Sequence, residues 1–217
     1  MLCVPDNTEV IVKKKAIVYI DGFNLYFAIN EKGWRNLLWL DQVKLAQNLL
    51  NPEKQELVAV KYFTSPIKGP EDKRRRQTAY LDALETTKPM LEIFKGSYVE
   101  NWVECRDCLR KWRDDKEKQT DVNIAVQMLL DAHIPNKVDD MILVTADSDQ
   151  CPTIKAVKAL GRRVLIVLPP GRADYLEVQR AAGFKLELTA TKLAACLFPR
   201  EVITSTGFKI RCPAAYQ

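Results

Sequence analysis

Two stretches of the chain set its pattern of apolar and polar positions. Ala16-Ile17-Val18-Tyr19-Ile20 is an unbroken apolar run that ends in Asp21-Gly22, and Met141-Ile142-Leu143-Val144-Thr145 runs into Ala146-Asp147-Ser148-Asp149. Apolar runs of this length, bounded by turn residues, read as strands buried on both faces. Glu56 to Thr64, Leu91 to Val99 with an interruption at Gly96, Arg163 to Leu168 and the short Phe184 to Leu188 read as further strands. Between them the spacing turns helical. Phe23 to Asn30 is closed by Gly33, and Val43 to Leu50 is opened by Asp41 as N-cap. Glu71 to Thr87 carries acids in its first turn, as the helix dipole favours. A helix with Thr120 as N-cap is apolar on most sides and is predicted to be buried, with His133 at its end. Cys151 to Leu160 is closed by Gly161, and Ala173 to Ala182 by Gly183. Thr191 to Leu197 is the last helix.

Strands that alternate with helices predict an α/β fold: a central parallel sheet of about five or six strands, right-handed crossovers and helices on both faces. The chain of 217 residues is long enough for one substantial domain. That domain is expected over residues 15–198, between an N-terminal arm (1–14) and a tail (199–217) with too little pattern to place. Glu100 to Gln119 is charged and loop-like. No apolar run approaches the roughly 20 residues that cross a bilayer, so no membrane span is expected. Met1 to Val12 contains Asp6 and Glu9 and lacks the basic start and apolar centre of a signal peptide, so the expected location is the cytoplasm.

Composition narrows the chemistry. There is one histidine, which leaves carboxylates as the main candidates for proton transfer near neutral pH. Six scattered cysteines read as free thiols. Cys105 and Cys108 have metal-ligand spacing, but a structural zinc takes about four ligands and no second pair follows at the usual distance. A formal charge of +5 permits a polyanionic partner without establishing one. Lys73-Arg74-Arg75-Arg76 covers the whole circumference of its helix, so part of it is a solvated face and part is able to meet phosphate.

Asp21, Asp147 and Asp149 fall at the carboxyl ends of strands, where open α/β sheets bind their ligands. Asn24 lies one turn beyond Asp21, and Asp121 begins the helix after Thr120. Each aspartate also has a plain structural reading as a helix cap or dipole partner. Together they form a cluster whose members would raise one another's pKa, and a divalent cation relieves that repulsion. Oxygen donors favour Mg²⁺ or Mn²⁺ over zinc, and Mg²⁺ takes only one or two carboxylates directly. Such a site suits hydrolysis of a phosphodiester.

The motifs Ile17-Val18-Tyr19-Ile20-Asp21-Gly22-Phe23-Asn24, Glu117-Lys118-Gln119-Thr120-Asp121-Val122 and Leu143-Val144-Thr145-Ala146-Asp147-Ser148-Asp149, in this order, resemble the NYN domain, in the LabA-like branch of the PIN-like nuclease superfamily. The likeness covers roughly Lys15 to Leu197, and the insertion from Cys105 to Lys116 is no part of the core motif. The resemblance implies a metal-dependent ribonuclease fold in which Asp21, Asn24, Asp121, Asp147 and Asp149 match the acidic site. On that expectation Asp21, Asp121 and Asp147 are the principal ligands of Mg²⁺ or Mn²⁺, Asp149 is an outer or second-metal ligand, and Asn24 orients the substrate. Lys73, Arg74, Arg75, Arg76 and Lys118 would position RNA. A homo-oligomer and a protein partner both stay open. The competing expectation is a non-catalytic RNA- or protein-binding regulatory module with the same fold. A small-molecule phosphatase ranks below both, because it calls for Asp-x-Asp at the first strand and the chain reads Asp21-Gly22-Phe23.

Overall fold

The computed structural model describes residues 12–99, 102–113 and 116–217. Most of the N-terminal arm, with Cys3, therefore lies outside the described residues. Six strands form one parallel sheet: β1 (Lys14–Asp21), β2 (Gln55–Thr64), β3 (Leu91–Lys95), β8 (Asp140–Val144), β9 (Arg163–Leu168) and β10 (Lys185–Glu187). Their order across the sheet is β10-β9-β8-β1-β2-β3. The chain winds outward from β1 in one direction and from β8 in the other, so the topological switch lies between these two strands. That is where the crevice at the carboxyl ends of a doubly wound sheet opens. β1 and β8 are in register there, with Ile20 beside Val144.

The alternation of side chains along β1 feeds two cores. Val18 and Ile20 face α1 (Gly22–Glu31), α2 (Gln42–Leu49) and α3 (Glu71–Glu85), packing with Leu25, Ile29, Leu45 and Leu84. Ile17 and Tyr19 face the opposite way, toward α4 (Thr120–His133), α5 (Cys151–Ala159) and α6 (Leu176–Ala182), with Ile124, Met128, Ile154 and Val178. The expected α/β architecture with helices on both faces is thus the one observed. Several caps are also as expected: Asp41 Oδ1 accepts from the N–H of Val43 and of Lys44 at 3.0 Å. A last short helix, α7 (Ala190–Ala194), is capped by Thr189. Among the described residues, no helix is long and apolar enough to cross a membrane.

The structure departs from the expected pattern in five places. The strand predicted over Leu91 to Val99 breaks at Gly96: β3 stops at Lys95, and β4 (Ser97–Val99) leaves the sheet to pair antiparallel with β7 (Lys116–Lys118). The loop expected between them holds a further antiparallel ribbon, β5 (Trp102–Glu104) with β6 (Lys111–Arg113). Thr120 is the first helical residue instead of the N-cap, which is Gln119 in the left-handed region at φ 80°. α4 is amphipathic, not wholly buried: Ile124, Met128 and Ala132 face the core, while Val122, Val126 and Leu130 are exposed. Finally, α6 begins at Leu176, because Arg172 and Tyr175 close turns onto Pro169 and Arg172.

The tail also has structure. β11 (Glu201–Ile203) and β12 (Lys209–Arg211) form a hairpin whose Val202 and Ile210 join the first core, with Cys212 beside them. Trp39 Nε1 donates to the Pro199 carbonyl at 2.9 Å and pins its start.

A buried ionic network crosses the second core. Asp131 on α4, 1 % exposed, receives Lys61 Nζ and Lys137 Nζ at 2.7 Å and the Tyr19 hydroxyl at 2.7 Å. Lys61 Nζ also donates to Gln127 Oε1 at 2.9 Å and sits over the Phe94 ring. Burial alone would raise the Asp131 pKa, but the hydrogen bonds from Lys137, Lys61 and Tyr19 hold it below the ordinary carboxylate range. Burial, and then the neighbouring Asp131 carboxylate, push the Tyr19 phenol upward, so Tyr19 acts as a donor.

Candidate active site

Local geometry explains why the first motif reads Asp-Gly. A Cβ on Gly22 would stand 2.6 Å from the Phe63 carbonyl oxygen and from the Tyr62 ring, so the chain can leave β1 and enter α1 here only through glycine. Asp21 caps that helix, with Oδ1 accepting the Asn24 N–H at 3.0 Å. Its Oδ2 accepts the Thr145 hydroxyl at 3.1 Å, which ties the end of β1 to the end of β8. The Thr145 oxygen in turn accepts the Asp147 N–H at 3.1 Å. Asn24 spans the same gap, its Oδ1 accepting the Ala146 N–H at 3.1 Å. Asp147 caps the turn 148–150, with Oδ1 accepting the Asp149 N–H at 2.9 Å. Gln150 Nε2 donates to the Asp121 carbonyl at 3.2 Å and draws the first turn of α4 to this edge. The capping roles and the convergence of these aspartates are properties of one arrangement.

Asp21, Asn24, Asp121 and Asp147 line a cleft of about 220 Å³, together with Phe23, Phe27, Thr120 and Arg172. Asp149 lies outside this lining and is exposed; its backbone serves the cleft through Asp147. Lys118 ends β7 two residues before α4, is exposed and does not line the cleft either. Among the described residues, no three His, Cys, Asp or Glu side chains form a group that could hold a metal ion directly.

Asp21 is 4 % exposed, and its pKa is pushed up to about 7. Burial is the largest cause, opposed by the Asn24 N–H and the Thr145 hydroxyl, and reinforced by Asp121 and Asp147. The folded chain therefore keeps a proton that the unfolded chain releases near pH 4. It follows that Asp21 lowers the stability of the metal-free protein progressively as pH rises from about 4 to about 7, and no further above that. The expected observation is that the Tm of Asp21→Asn exceeds that of the wild type by a margin that widens over this window and is constant above it. A margin independent of pH between 4 and 8 would contradict the buried, protonated Asp21.

Beside the cleft, and sharing Phe23 and Phe27 with it, runs a groove of about 330 Å³. Phe23 and Phe27 are one helical turn apart on α1, with rings stacked at 6.1 Å, and Phe27 is half exposed. Arg35, Lys73 and Arg76 line this groove with Tyr26 and Tyr216. Arg74 and Arg75 do not line it; both are exposed, and Arg75 pairs with Glu71 at 3.3 Å. The basic run thus divides by helical phase, since residues three apart share a face.

Sequence reasoning did not single out Thr145, Arg172, Arg35 or Phe27. Arg172 had a usable signal, because it follows β9 and so falls at the same sheet edge as the aspartates. In the structure it bonds Glu31 Oε2 at 2.6 Å and lies over the Tyr175 ring.

Comparison with known proteins places the chain in a family. The chain is 28 % identical to 6-hydroxy-3-succinoylpyridine 3-monooxygenase of Pseudomonas putida (strain DSM 28022 / S16), over 85 % of this chain and 70 % of that protein. Its fold is similar to that of a protein of unknown function from Vibrio parahaemolyticus RIMD 2210633, with a TM-score of 0.54 at 19 % identity, covering 86 % of this chain and 97 % of the other. The profile of the NYN domain matches residues 15–184, which takes in the whole cleft. By that match over most of its length, the chain belongs to the NYN domain family.

Proposed function

We propose that the chain is a Mg²⁺- or Mn²⁺-dependent endoribonuclease, in the LabA-like branch of its family, that hydrolyses RNA in the cytoplasm. The observation that carries this reading is the meeting of Asp21, Asn24, Asp121 and Asp147 in one cleft at the switch point of the sheet. NYN membership makes a nuclease the first expectation.

The donor set fits a hard divalent cation. All of its atoms are oxygens, and Asp21 is held partly protonated by burial and by the Asp121 and Asp147 charges. Mg²⁺ commonly keeps several waters and one or two direct carboxylates, so the lack of a three-ligand group among the described residues agrees with that habit. A divalent ion bound here would supply charge that favours the ionised form of Asp21 and would acidify a water for attack on phosphorus.

The chain's own groups do the rest. Asp21 is fixed through both oxygens by Asn24 and Thr145, and it would be one of the residues that hold the cation, in its ionised form. The Asn24 carbonyl oxygen is committed to Ala146, so its amide hydrogens are what it offers to a phosphate oxygen. Asp121 and Asp147, on the other walls, hold and orient the attacking water. Arg172 adds a positive charge at the rim.

The test is RNA cleavage by wild type, Asp21→Asn and Asp147→Asn, with EDTA or added Mn²⁺. Cleavage confined to the metal-supplemented wild type supports the proposal; equal cleavage by all three, or cleavage indifferent to EDTA, overturns it. RNA bound but left intact under excess Mn²⁺ would favour the non-catalytic binding module instead.

RNA affinity is assigned to the groove. The exposed Phe27 ring, stacked on the partly buried Phe23, offers a stacking surface, and the groove's cations can meet the phosphates of a single strand. Lys73→Ala, Arg76→Ala and Arg35→Ala should each raise the KM for RNA, leave kcat nearly intact, and lower the salt slope by about 0.7 for each phosphate that is no longer neutralised. The pair Arg74→Ala, Arg75→Ala should change KM by less than about twofold, as expected of surface charges that reach no phosphate. Equal effects of the two sets in a salt titration would refute the division.

The activity for which the Pseudomonas putida relative is named suggests a second reading, oxidation of a hydroxylated pyridine. The apolar pocket beneath the groove, walled by Leu25, Tyr62 and Tyr80, holds about 50 Å³. That is smaller than the roughly 150 Å³ cavity known to bind benzene, so a pyridine with a four-carbon acid chain would have to occupy the open groove or the acidic cleft instead. Turnover of such a pyridine without RNA cleavage would reverse the ranking.

A further inference from the structure

The β5–β6 ribbon carries a pair of thiols that the proposed RNA chemistry does not use. Its tip is Cys105-Arg106-Asp107-Cys108-Leu109-Arg110, closed by Cys105 N–H to the Arg110 carbonyl at 2.9 Å and by Leu109 N–H to the Cys105 carbonyl at 3.0 Å. Leu109 adopts φ 56°, a left-handed conformation uncommon for a residue with a side chain. The turn so formed aims the backbone N–H groups of Cys108 and Asp107 at the Cys105 sulfur, and the Cys108 thiol is in hydrogen-bonding contact with it. Amides directed at sulfur are the surroundings a coordinated thiolate requires. Cys108 is exposed and Cys105 half-buried, so both are reachable from solvent.

Two sulfur donors are half of a tetrahedral structural zinc site. Among the described residues nothing in the same chain completes the set. Cys196 and Cys212 are buried, and Cys151 begins α5 on the sheet. An identical pair is available from any second copy of the chain, and a two-fold axis through the ribbon tips brings four sulfurs together.

We propose that Cys105 and Cys108 form half of an intersubunit zinc site, completed by the same two cysteines of a second copy. Four thiols bind one Zn²⁺ with release of four protons, giving a tetrathiolate of net charge −2, so zinc uptake is favoured as pH rises. The ribbon is charged to suit it. Arg106 and Arg110 flank the pair on each tip, while Lys111 is engaged with Glu104 at 3.2 Å. Leu109 at the tip is 68 % exposed and Trp112, on the face it shares with Val103, is 45 % exposed, an apolar surface that the second ribbon would cover, while Trp102 stands on the opposite face. Sulfur donors select zinc over the hard cations suited to the acidic cleft, so the two sites do not compete for one metal.

The experiment uses the full chain, reduced and stripped of metal, titrated with Zn²⁺ and with Co²⁺ as a spectroscopic probe. Size-exclusion chromatography with light scattering should show the mass rise from one chain of 24.8 kDa to two, saturating at half a zinc per chain. Co²⁺ should give the visible absorption of a tetrahedral tetrathiolate. Cys105→Ser and Cys108→Ser should stay single chains with an unchanged circular dichroism spectrum, whereas Cys3→Ser should dimerise as the wild type does. One zinc per single chain, a dimer that persists in the Cys108→Ser variant, loss of dimerisation in Cys3→Ser, or a Cys105–Cys108 disulfide formed with no zinc uptake would each overturn the proposal.

Discussion

Asp21→Asn should lose RNA cleavage by about a thousandfold, the scale expected when an electrostatic anchor of the transition state is removed, while the metal-free protein becomes more stable. The two effects have one cause. Asp21 is almost fully buried and faces Asp121 and Asp147 across the cleft, so ionising it is costly; its pKa of about 7 states that cost. Asparagine keeps the shape and can still accept the Asn24 N–H, yet it carries no charge. At pH 8 the gain should be roughly 1 to 3 kcal/mol, less than the roughly 4 that the full displacement from about 4 to about 7 represents. For a chain of this size that is a rise in Tm on the order of 5 °C. Excess Mn²⁺ should narrow the gap by stabilising the wild type alone, because a ligand that binds only the folded state raises its stability by mass action. A variant both inactive and less stable than wild type at pH 8 would show that Asp21 serves mainly as a helix cap.

The largest loss of stability is expected from Asp131→Ala. That change strands Lys61, 4 % exposed, without its counter-ion and leaves the Tyr19 hydroxyl without its acceptor. Breaking one side of a buried pair costs about 3–5 kcal/mol, which corresponds to a fall in Tm of about 10 °C. Lys137 is partly exposed and can turn to water, so it adds little to the loss. Replacing the pair together, with Asp131→Leu and Lys61→Met, should recover most of the stability, since apolar groups of similar volume often substitute for a buried pair at no net cost. Thermal unfolding of the single and double variants measures this. A loss below about 1 kcal/mol in Asp131→Ala would mean that water reaches Lys61.

The sequence made the sheet and its acidic edge legible because buried parallel strands leave a signal that survives without tertiary information: apolar runs such as Ile17 to Ile20 that stop abruptly at an aspartate. Asp41 and Gly183 were legible for the same local reason, since caps are decided by neighbours in the chain. What was hidden depends on distant partners. Nothing near Asp131 announces Lys61, which lies two crossovers away on β2, and an acid late in a helix reads as surface. Val122, Val126 and Leu130 are as apolar as Ile124 and Met128, so composition could not reveal that α4 turns one stripe outward. Gly96 was visible as an interruption, but only the antiparallel pairing with β7 shows that the strand changes sheets there. Within the site, Asp149 had the same strand-end signal as Asp147. The turn 148–150 separates them, offering the Asp147 side chain to the cleft and the Asp149 backbone to Asp147. That the basic run must divide was legible from its spread around the helix, but only the phase of α3 against the groove shows that Lys73 and Arg76 line it and Arg74 and Arg75 do not.

Asp21, Asp121 and Asp147 are held to serve one divalent cation, and the most direct measurement is a crystal soaked in Mn²⁺ and examined for anomalous scattering. One strong peak is expected in the cleft, bound by Asp21 directly or through a single water, with Asp121 and Asp147 holding the remaining waters, and absent in Asp21→Asn. Full occupancy of Mn²⁺ elsewhere on the chain with none in this cleft, or an undiminished cleft peak in Asp21→Asn, would contradict it.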